Sequence, residues 1–315
     1  MSAPSNVSVV VLRVDFRALL AGLVLALSAA QSIGAQSRAA AYDPVTMDPP
    51  TRDTVNPPSR EELAFTSHGS RLNGLMYTAQ GAGPHPTVIL LHGYPGVERN
   101  LDLAQAMRRA GINVLYFNYR GSWGSTGTFS FANAQEDVQS AIGYVRTPDV
   151  ALRLRIDPTR IALVGHSMGG WLAFLGAAAD PTIACVGGFE AADMTYIRGE
   201  RTPSRRTDSA FIVYANTLTA PGGPLHASSD SLLASLRANS ETWTLPHHAA
   251  ELSGRTILLL DNNRNAGHAK FVASLRQAGA KHLTEEVWTT DHTFSDRRIA
   301  LEHRVLDWLR SDCGY

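Results

Sequence analysis

From residue 87 onward, short uninterrupted apolar runs alternate with stretches of helical spacing, and few architectures accommodate that alternation. The runs are TVILL (87–91), NVLYF (113–117), RIALVG (160–165), ACVGGF (184–189) and TILLL (256–260), and a last, more polar strand is read over 285–288 (EEVW). A strand that is apolar at every position has both faces covered, which is the condition of a parallel sheet with helices on either side. Helical spacing is read over 101–110, 135–146, 171–179, 268–278 and 298–309, and Gly111 stops the first of these. Two more polar, β-like stretches, 62–67 and 71–77, come first. The expected fold class is therefore α/β: a doubly wound, mostly parallel sheet of about eight strands. Residues 193–252 break the rhythm, with a polar start, a PGGP turn at 221–224 and a loosely helical remainder. A stretch of that length is too long for a plain loop, so a helical cap inserted over the carboxyl edge of the sheet is expected.

The 315 residues carry 28 Lys and Arg against 28 Asp and Glu, a formal net charge of zero. Nucleic acid and anionic membrane surfaces need a concentrated positive field, so neither is expected as the main partner. With 44% hydrophobic and 18% charged residues, the chain has the material for a large core. Cys185 and Cys313 are too few and too far apart for a zinc ribbon or a Cys-x-x-Cys redox pair. Spacing leaves their pairing open; the place of Cys185 in a buried strand favours two free thiols.

At the amino end, Arg13 and Arg17 precede an uncharged apolar run at 18–30 (ALLAGLVLALSAA), and small residues follow at Ala30, Ser32, Gly34 and Ala35. This is the layout of a signal peptide over 1–35, with cleavage expected near Ala35. The run is shorter than the ~18–20 residues that span a bilayer, so no integral membrane association is expected after cleavage, and the destination is periplasmic or secreted. Residues 36–60, rich in Pro, Asp and Thr, read as an extended, mobile linker, and 61–315 as the folded domain.

Gly165-His166-Ser167-Met168-Gly169 stands directly after the strand RIALV and directly before a helix. A serine on a strand-to-helix turn this tight needs small neighbours, and the turn lifts its hydroxyl above the sheet. The amino end of the following helix then offers the Met168 amide to a developing oxyanion.

With this motif in this context, residues 62–315 resemble the α/β-hydrolase superfamily. His92-Gly93-Tyr94-Pro95-Gly96, after the strand TVILL, is similar to the His-Gly motif of that superfamily. The resemblance implies that the Tyr94 amide supplies the second oxyanion donor, while His92 bonds the loop. A serine hydroxyl needs a base, and the base needs a carboxylate to orient it, in the chain order Ser, Asp, His. His292, in Thr290-Asp291-His292-Thr293-Phe294, stands where the superfamily carries its base. Asp261, at the end of the strand TILLL, stands at the superfamily's usual acid position, although Leu258 replaces the glycine of Gly-x-x-Asp. Glu190 and Asp193, after the preceding strand, are the alternative acids, since some relatives carry the acid there; Asp291, adjacent to the base, is a poorer candidate.

Asn118-Tyr119-Arg120-Gly121-Ser122-Trp123-Gly124 resembles the superfamily's Asp-x-Arg-Gly-x-Gly loop, with Asn for Asp, and implies that Arg120 clamps neighbouring loops. Trp123 and Phe129 are candidate substrate contacts. Serine at the elbow sets aside the dehalogenase and epoxide-hydrolase chemistry of an aspartate and the dienelactone-hydrolase chemistry of a cysteine. The sequence contains no metal cluster, phosphate-binding loop or dinucleotide fingerprint, so no cofactor and no metal are expected. The expected activity is hydrolysis of carboxylic esters through an acyl-enzyme, on a small-molecule ester or a short peptide. A peptidase of the dipeptidyl or acylaminoacyl type is the alternative; against it count the Gly-His-Ser-Met-Gly elbow in place of that group's Gly-x-Ser-Tyr-Gly, and the roughly 25 residues between the signal and the first strand, too few for the propeller expected there. A non-catalytic binding protein on the same fold is the third reading. Oligomeric state is not legible.

Overall fold

The computed structural model describes residues 41–196, 202–262, 265 and 267–315. The signal-peptide expectation falls on residues outside these.

Eight strands form one sheet: β1 (Ser59–Ser67), β2 (Ser70–Thr78), β3 (His85–Leu91), β4 (Asn113–Phe117), β5 (Ile156–His166), β6 (Cys185–Phe189), β7 (Thr256–Asn262) and β8 (His282–Trp288). Their spatial order is β1-β2-β4-β3-β5-β6-β7-β8. β2 pairs antiparallel with β1 and β4, and every other pair is parallel. The apolar runs at 87–91, 113–117 and 256–260 are buried almost throughout because helices cover both faces, as the α/β reading requires.

The helices are α1 (Leu101–Arg109), α2 (Phe131–Arg146), α3 (Pro148–Arg153), α4 (Met168–Ala179), α5 (Arg205–Thr219), α6 (Ser229–Ala238), α7 (Ala249–Leu252), α8 (His268–Gln277) and α9 (Arg298–Ser311). One face of the sheet packs Leu91, Leu115 and Leu163 against α2, α4 and α8 through Val138, Trp171 and Phe271. The other packs Val88, Val164 and Leu260 against α1 and α9 through Met107, Leu301 and Trp308. Each fully buried side chain of this size is worth about 1.5–3 kcal/mol relative to exposure.

Between β6 and β7 lie α5, α6, a short 3-10 turn (Leu245–His248) and α7. This segment is fastened to the domain by three kinds of contact. Ser122 bridges Leu225 as an isolated β-pair, and the Trp171 indole donates to the Trp243 carbonyl at 2.8 Å. Asp193 is buried, accepting from Thr195 on one oxygen and from Thr244 and the Leu245 amide on the other. Asp193 is thus a clasp at the base of the insertion. Among the described residues, no helix is long and apolar enough to cross a membrane.

Two sequence expectations differ from what is found. The described part of the stretch read as a mobile linker is docked: Arg109 donates to the carbonyls of Pro44 and Val45, Val45 is buried, and Arg155 reaches the Pro57 carbonyl. Backbone carbonyl oxygens accept readily from the several N–H donors of a guanidinium group. Cys185 and Cys313, expected as free thiols, form a disulfide with Cα atoms 6.1 Å apart. α9 carries the carboxyl end back to the buried start of β6, a closeness across 128 residues that spacing does not reveal.

Candidate active site

The turn from β5 into α4 places Ser167 at φ 56°, ψ −124°, a conformation that non-glycine residues rarely adopt. The surrounding glycines explain how it is held. A Cβ on Gly165 would lie 2.1 Å from the Gly169 carbonyl oxygen, and one on Gly169 would lie 2.1 Å from that of Leu91. Gly93 approaches from β3, and a Cβ there would sit 2.9 Å from the Ser167 Cβ and 3.4 Å from its Oγ. The strand-to-helix turn and the loop after β3 therefore close on the serine from two sides.

That loop carries Tyr94, and Met168 opens α4. Neither backbone amide donates to an acceptor among the described residues. The loop is fixed from behind at several points. His92 Nδ1 contacts the Gly93 carbonyl at 2.8 Å, the Tyr119 hydroxyl donates to the His92 carbonyl at 3.1 Å, and the Trp123 indole donates to the Pro95 carbonyl at 2.6 Å. Burial holds the His92 ring down at a pKa of about 4, so it is neutral and structural. The Tyr94 ring lies 5.8 Å from both Phe129 and Phe131 and 6.1 Å from Tyr214 of α5. Phe129, expected as a substrate contact, is 2% exposed and supports the loop from inside. Trp123 is half-buried, with its indole spent on Pro95 and its ring under Arg99 at 5.2 Å.

His292 lies in the turn between β8 and α9. Its Nδ1 is 3.0 Å from Oε2 of Glu190, whose other oxygen accepts from the Asn262 amide. Glu190 follows β6 at φ 49° and is buried, whereas the His292 side chain is 52% exposed. His166 fixes the turn from below: its Nε2 donates to the His292 carbonyl at 2.8 Å, and its ring stacks on Phe189. Burial, with His292 beside it, lowers His166 to about 4, leaving a neutral ring with its proton on Nε2. Asp291 serves the same turn, accepting from the amides of Thr293 and Ser295. The residue before the serine thus bonds the backbone of His292 itself.

Asp261, expected to orient His292, is not its partner. It contacts His268 Nδ1 and accepts from Asn265 at 2.7 Å, while His268 Nε2 faces Glu285 at 2.9 Å. The reason is strand alternation. β7 runs on to Asn262, so Asp261 shares a face with Ile257 and Leu259, against α8. Leu258 and Leu260 face the other side, where Phe294 of the His292 turn packs. Burial opposes a charge on His268, but Asp261 and Glu285 outweigh it and raise its pKa. The carboxylate that reaches His292 is Glu190, and its signal in the sequence is an acidic residue directly at the end of the neighbouring strand.

Arg120 is buried and clamps its loop: it donates through its amide and Nε to Asp137, and through Nη2 to the Asn133 carbonyl. Among the described residues, no group of three or more His, Cys, Asp and Glu side chains is arranged to hold a metal ion.

A serine on a strained strand-to-helix turn, at the carboxyl edge of a mostly parallel eight-stranded sheet, is the arrangement of an α/β-hydrolase fold. The family model described as the alpha/beta hydrolase family matches residues 88–310, and the chain belongs to that family. It is 31% identical over 143 residues to an uncharacterized protein of Mycobacterium tuberculosis, covering 45% of this chain and 49% of that one. It is 36% identical over 121 residues to the uncharacterized protein YfhR of Escherichia coli, covering 36% and 40%. The chain thus spans about half the length of the curated relatives it matches. Among solved structures, a 2,6-dihydroxy-pseudo-oxynicotine hydrolase superposes with a TM-score of 0.59 at 18% identity, over 81% of this chain and 68% of that one. The esterase Est22 gives 0.57 at 18%, over 81% and 82%. The Pyrococcus horikoshii acylaminoacyl peptidase gives 0.58 at 16%, over 80% and 41%. At these identities the likeness is one of fold.

Proposed function

We propose that the protein is a serine hydrolase acting on carboxylic esters through an acyl-enzyme. The observation that carries this reading is the Ser167 backbone conformation, maintained where three glycines leave no room for a side chain. Such strain persists where the surrounding structure over-determines it, and a tight strand-to-helix turn that presents a serine is the geometry of a nucleophile. In this mechanism His292 Nε2 takes the Ser167 proton as Oγ attacks the ester carbonyl. The amides of Tyr94 and Met168 donate to the oxygen that becomes negative. Collapse breaks the ester C–O bond, His292 protonates the departing alcohol, and water, deprotonated by the same imidazole, hydrolyses the acyl-serine. Glu190 keeps the proton on Nδ1 and stabilises the imidazolium.

The test is hydrolysis of nitrophenyl esters of increasing acyl length beside aminoacyl and acyl-aminoacyl anilides, with Ser167→Ala as control. Ester turnover that vanishes in the variant is expected. Anilide turnover at comparable rates would move the assignment to a peptidase, and absence of labelling by a fluorophosphonate probe would leave a non-catalytic binding protein. Export to the periplasm or beyond, with cleavage near Ala35, belongs to the same proposal; the Cys185–Cys313 disulfide supports an oxidising destination. Amino-terminal sequencing of the exported protein tests it.

A further inference from the structure

A groove of about 640 Å³ lies over the outer strands of the sheet, next to the loop that carries Tyr94 but away from Ser167. The strand register defines its floor and walls. Residues paired across β1 and β2 share a face, so Arg60, Glu62 and Ala64 lie on the same side as Arg71, Asn73 and Leu75; Tyr116 of β4, paired with Leu75, joins them. Leu101 at the start of α1 and Arg99 before it close the side.

The charge in this groove is one-sided. The chain has zero net charge, and Arg120, Arg146, Arg237, Arg298 and Arg304 each reach a carboxylate. Among the described residues, Arg71 and Arg99 form no ion pair. Arg71 donates to the neutral Asn73 side chain at 2.5 Å, and Arg99 lies over the Trp123 ring. Among the described residues, the only carboxylate lining the groove is Glu62, exposed and 3.8 Å from Arg60 at the far end. Arg71 and Arg99 are brought to one end by a chain of contacts. Arg71 bonds Asn73, the Asn73 carbonyl accepts from the Asn118 amide, and the Asn118 side chain donates to the carbonyl of Trp123, beneath Arg99. Between this cationic end and the Arg60–Glu62 pair, the half-buried Ala64, Leu75 and Leu101 offer an apolar floor.

We propose that this groove binds a small amphiphilic anion, its carboxylate or phosphate head between Arg71 and Arg99 and its hydrocarbon chain along Leu75 and Ala64. Guanidinium groups donate to either head in a forked geometry, and the chain removes the apolar floor from water. The proposal goes beyond the hydrolase reading and does not depend on it, since Ser167 takes no part.

Isothermal titration of the full-length protein with octanoate, octyl phosphate, octanol and inorganic sulfate tests it. Octanoate or octyl phosphate should saturate one site at least tenfold more tightly than either octanol or sulfate, and their ranking identifies the preferred head. Arg71→Glu and Arg99→Gln should each weaken that binding at least tenfold, whereas Arg52→Glu, exposed and outside the groove, should leave it unchanged. Circular dichroism confirms that the variants fold. Octanol binding as tightly as octanoate, sulfate binding as tightly as both, or retained affinity in Arg71→Glu would overturn the proposal. Ester hydrolysis by the same preparations reports on Ser167 separately, so either idea can fail alone.

Discussion

Replacing Glu190 by Gln separates the two carboxylates that compete for the role of acid. Glu190 Oε1 accepts from the Asn262 amide and Oε2 faces His292 Nδ1 at 3.0 Å. A glutamine that keeps the first bond with its carbonyl must turn its NH2 toward Nδ1. Nδ1 then becomes an acceptor and the ring proton moves to Nε2, where it blocks removal of the Ser167 proton. In serine proteases this wrong-tautomer defect costs about 10⁴ in kcat, equivalent to about 5 kcal/mol. Here Glu190 is buried but the His292 side chain is 52% exposed, so water can support part of the correct tautomer. The expected loss is therefore about 10²–10⁴, or about 3–5 kcal/mol in the barrier. Asp261→Asn should leave kcat within about threefold, because its partner is His268, while lowering stability by about 3 kcal/mol through a broken buried pair. Steady-state kinetics on a nitrophenyl ester, with urea unfolding of the same variants, reads both effects. A hundredfold loss of kcat in Asp261→Asn together with near-normal turnover in Glu190→Gln would refute the assignment.

Other consequences concern stability. Glu302 is raised to about 7, first by burial and then by the neighbouring Asp102. A carboxyl raised in the folded state contributes fully below its unfolded pKa and loses that contribution as pH rises through 7. Glu302→Gln should therefore gain up to about 3 kcal/mol on the wild type between pH 4.5 and 8 in urea titrations. His166 has the opposite sign: lowered to about 4, it contributes fully above 6.5 and loses that contribution as pH falls toward 4, so His166→Gln should cost less at pH 4.5 than at pH 7. Gly143→Ala, in the exposed part of α2 with nothing near its Cβ, should raise stability by about 0.5–1 kcal/mol, whereas Gly169→Ala should prevent folding of the elbow; thermal melts and soluble yield distinguish them. Thiol titration of unreduced, denatured protein should find no free cysteine and two after reduction, and Cys313→Ser should cost about 2–4 kcal/mol.

Local physics already carries much of this molecule in its sequence. A short run such as TVILL, bounded by Pro86 and Gly93, reads as a strand buried on both faces, and Gly165-His166-Ser167-Met168-Gly169 between a strand and a helix marks a tight turn in which Gly165 faces the Gly169 backbone four residues on. The identity of the strands and helices and the turn that holds Ser167 follow from such local constraints, whereas the approach of Gly93 to Ser167 needs β3 and β5 side by side in the sheet. What tertiary structure alone decides is which distant side chains share a face. Asp261 and Glu190 both end strands, and one-dimensional pattern favours Asp261; the alternation of β7 turns it toward α8 and leaves His292 to Glu190. The pairing of Cys185 with Cys313, the docking of Pro44 and Val45 on Arg109, and the gathering of Arg71 and Arg99 at one groove have the same origin. Each depends on where the sheet brings residues far apart in the chain, and strand order and side-chain direction exist only once the whole sheet has formed.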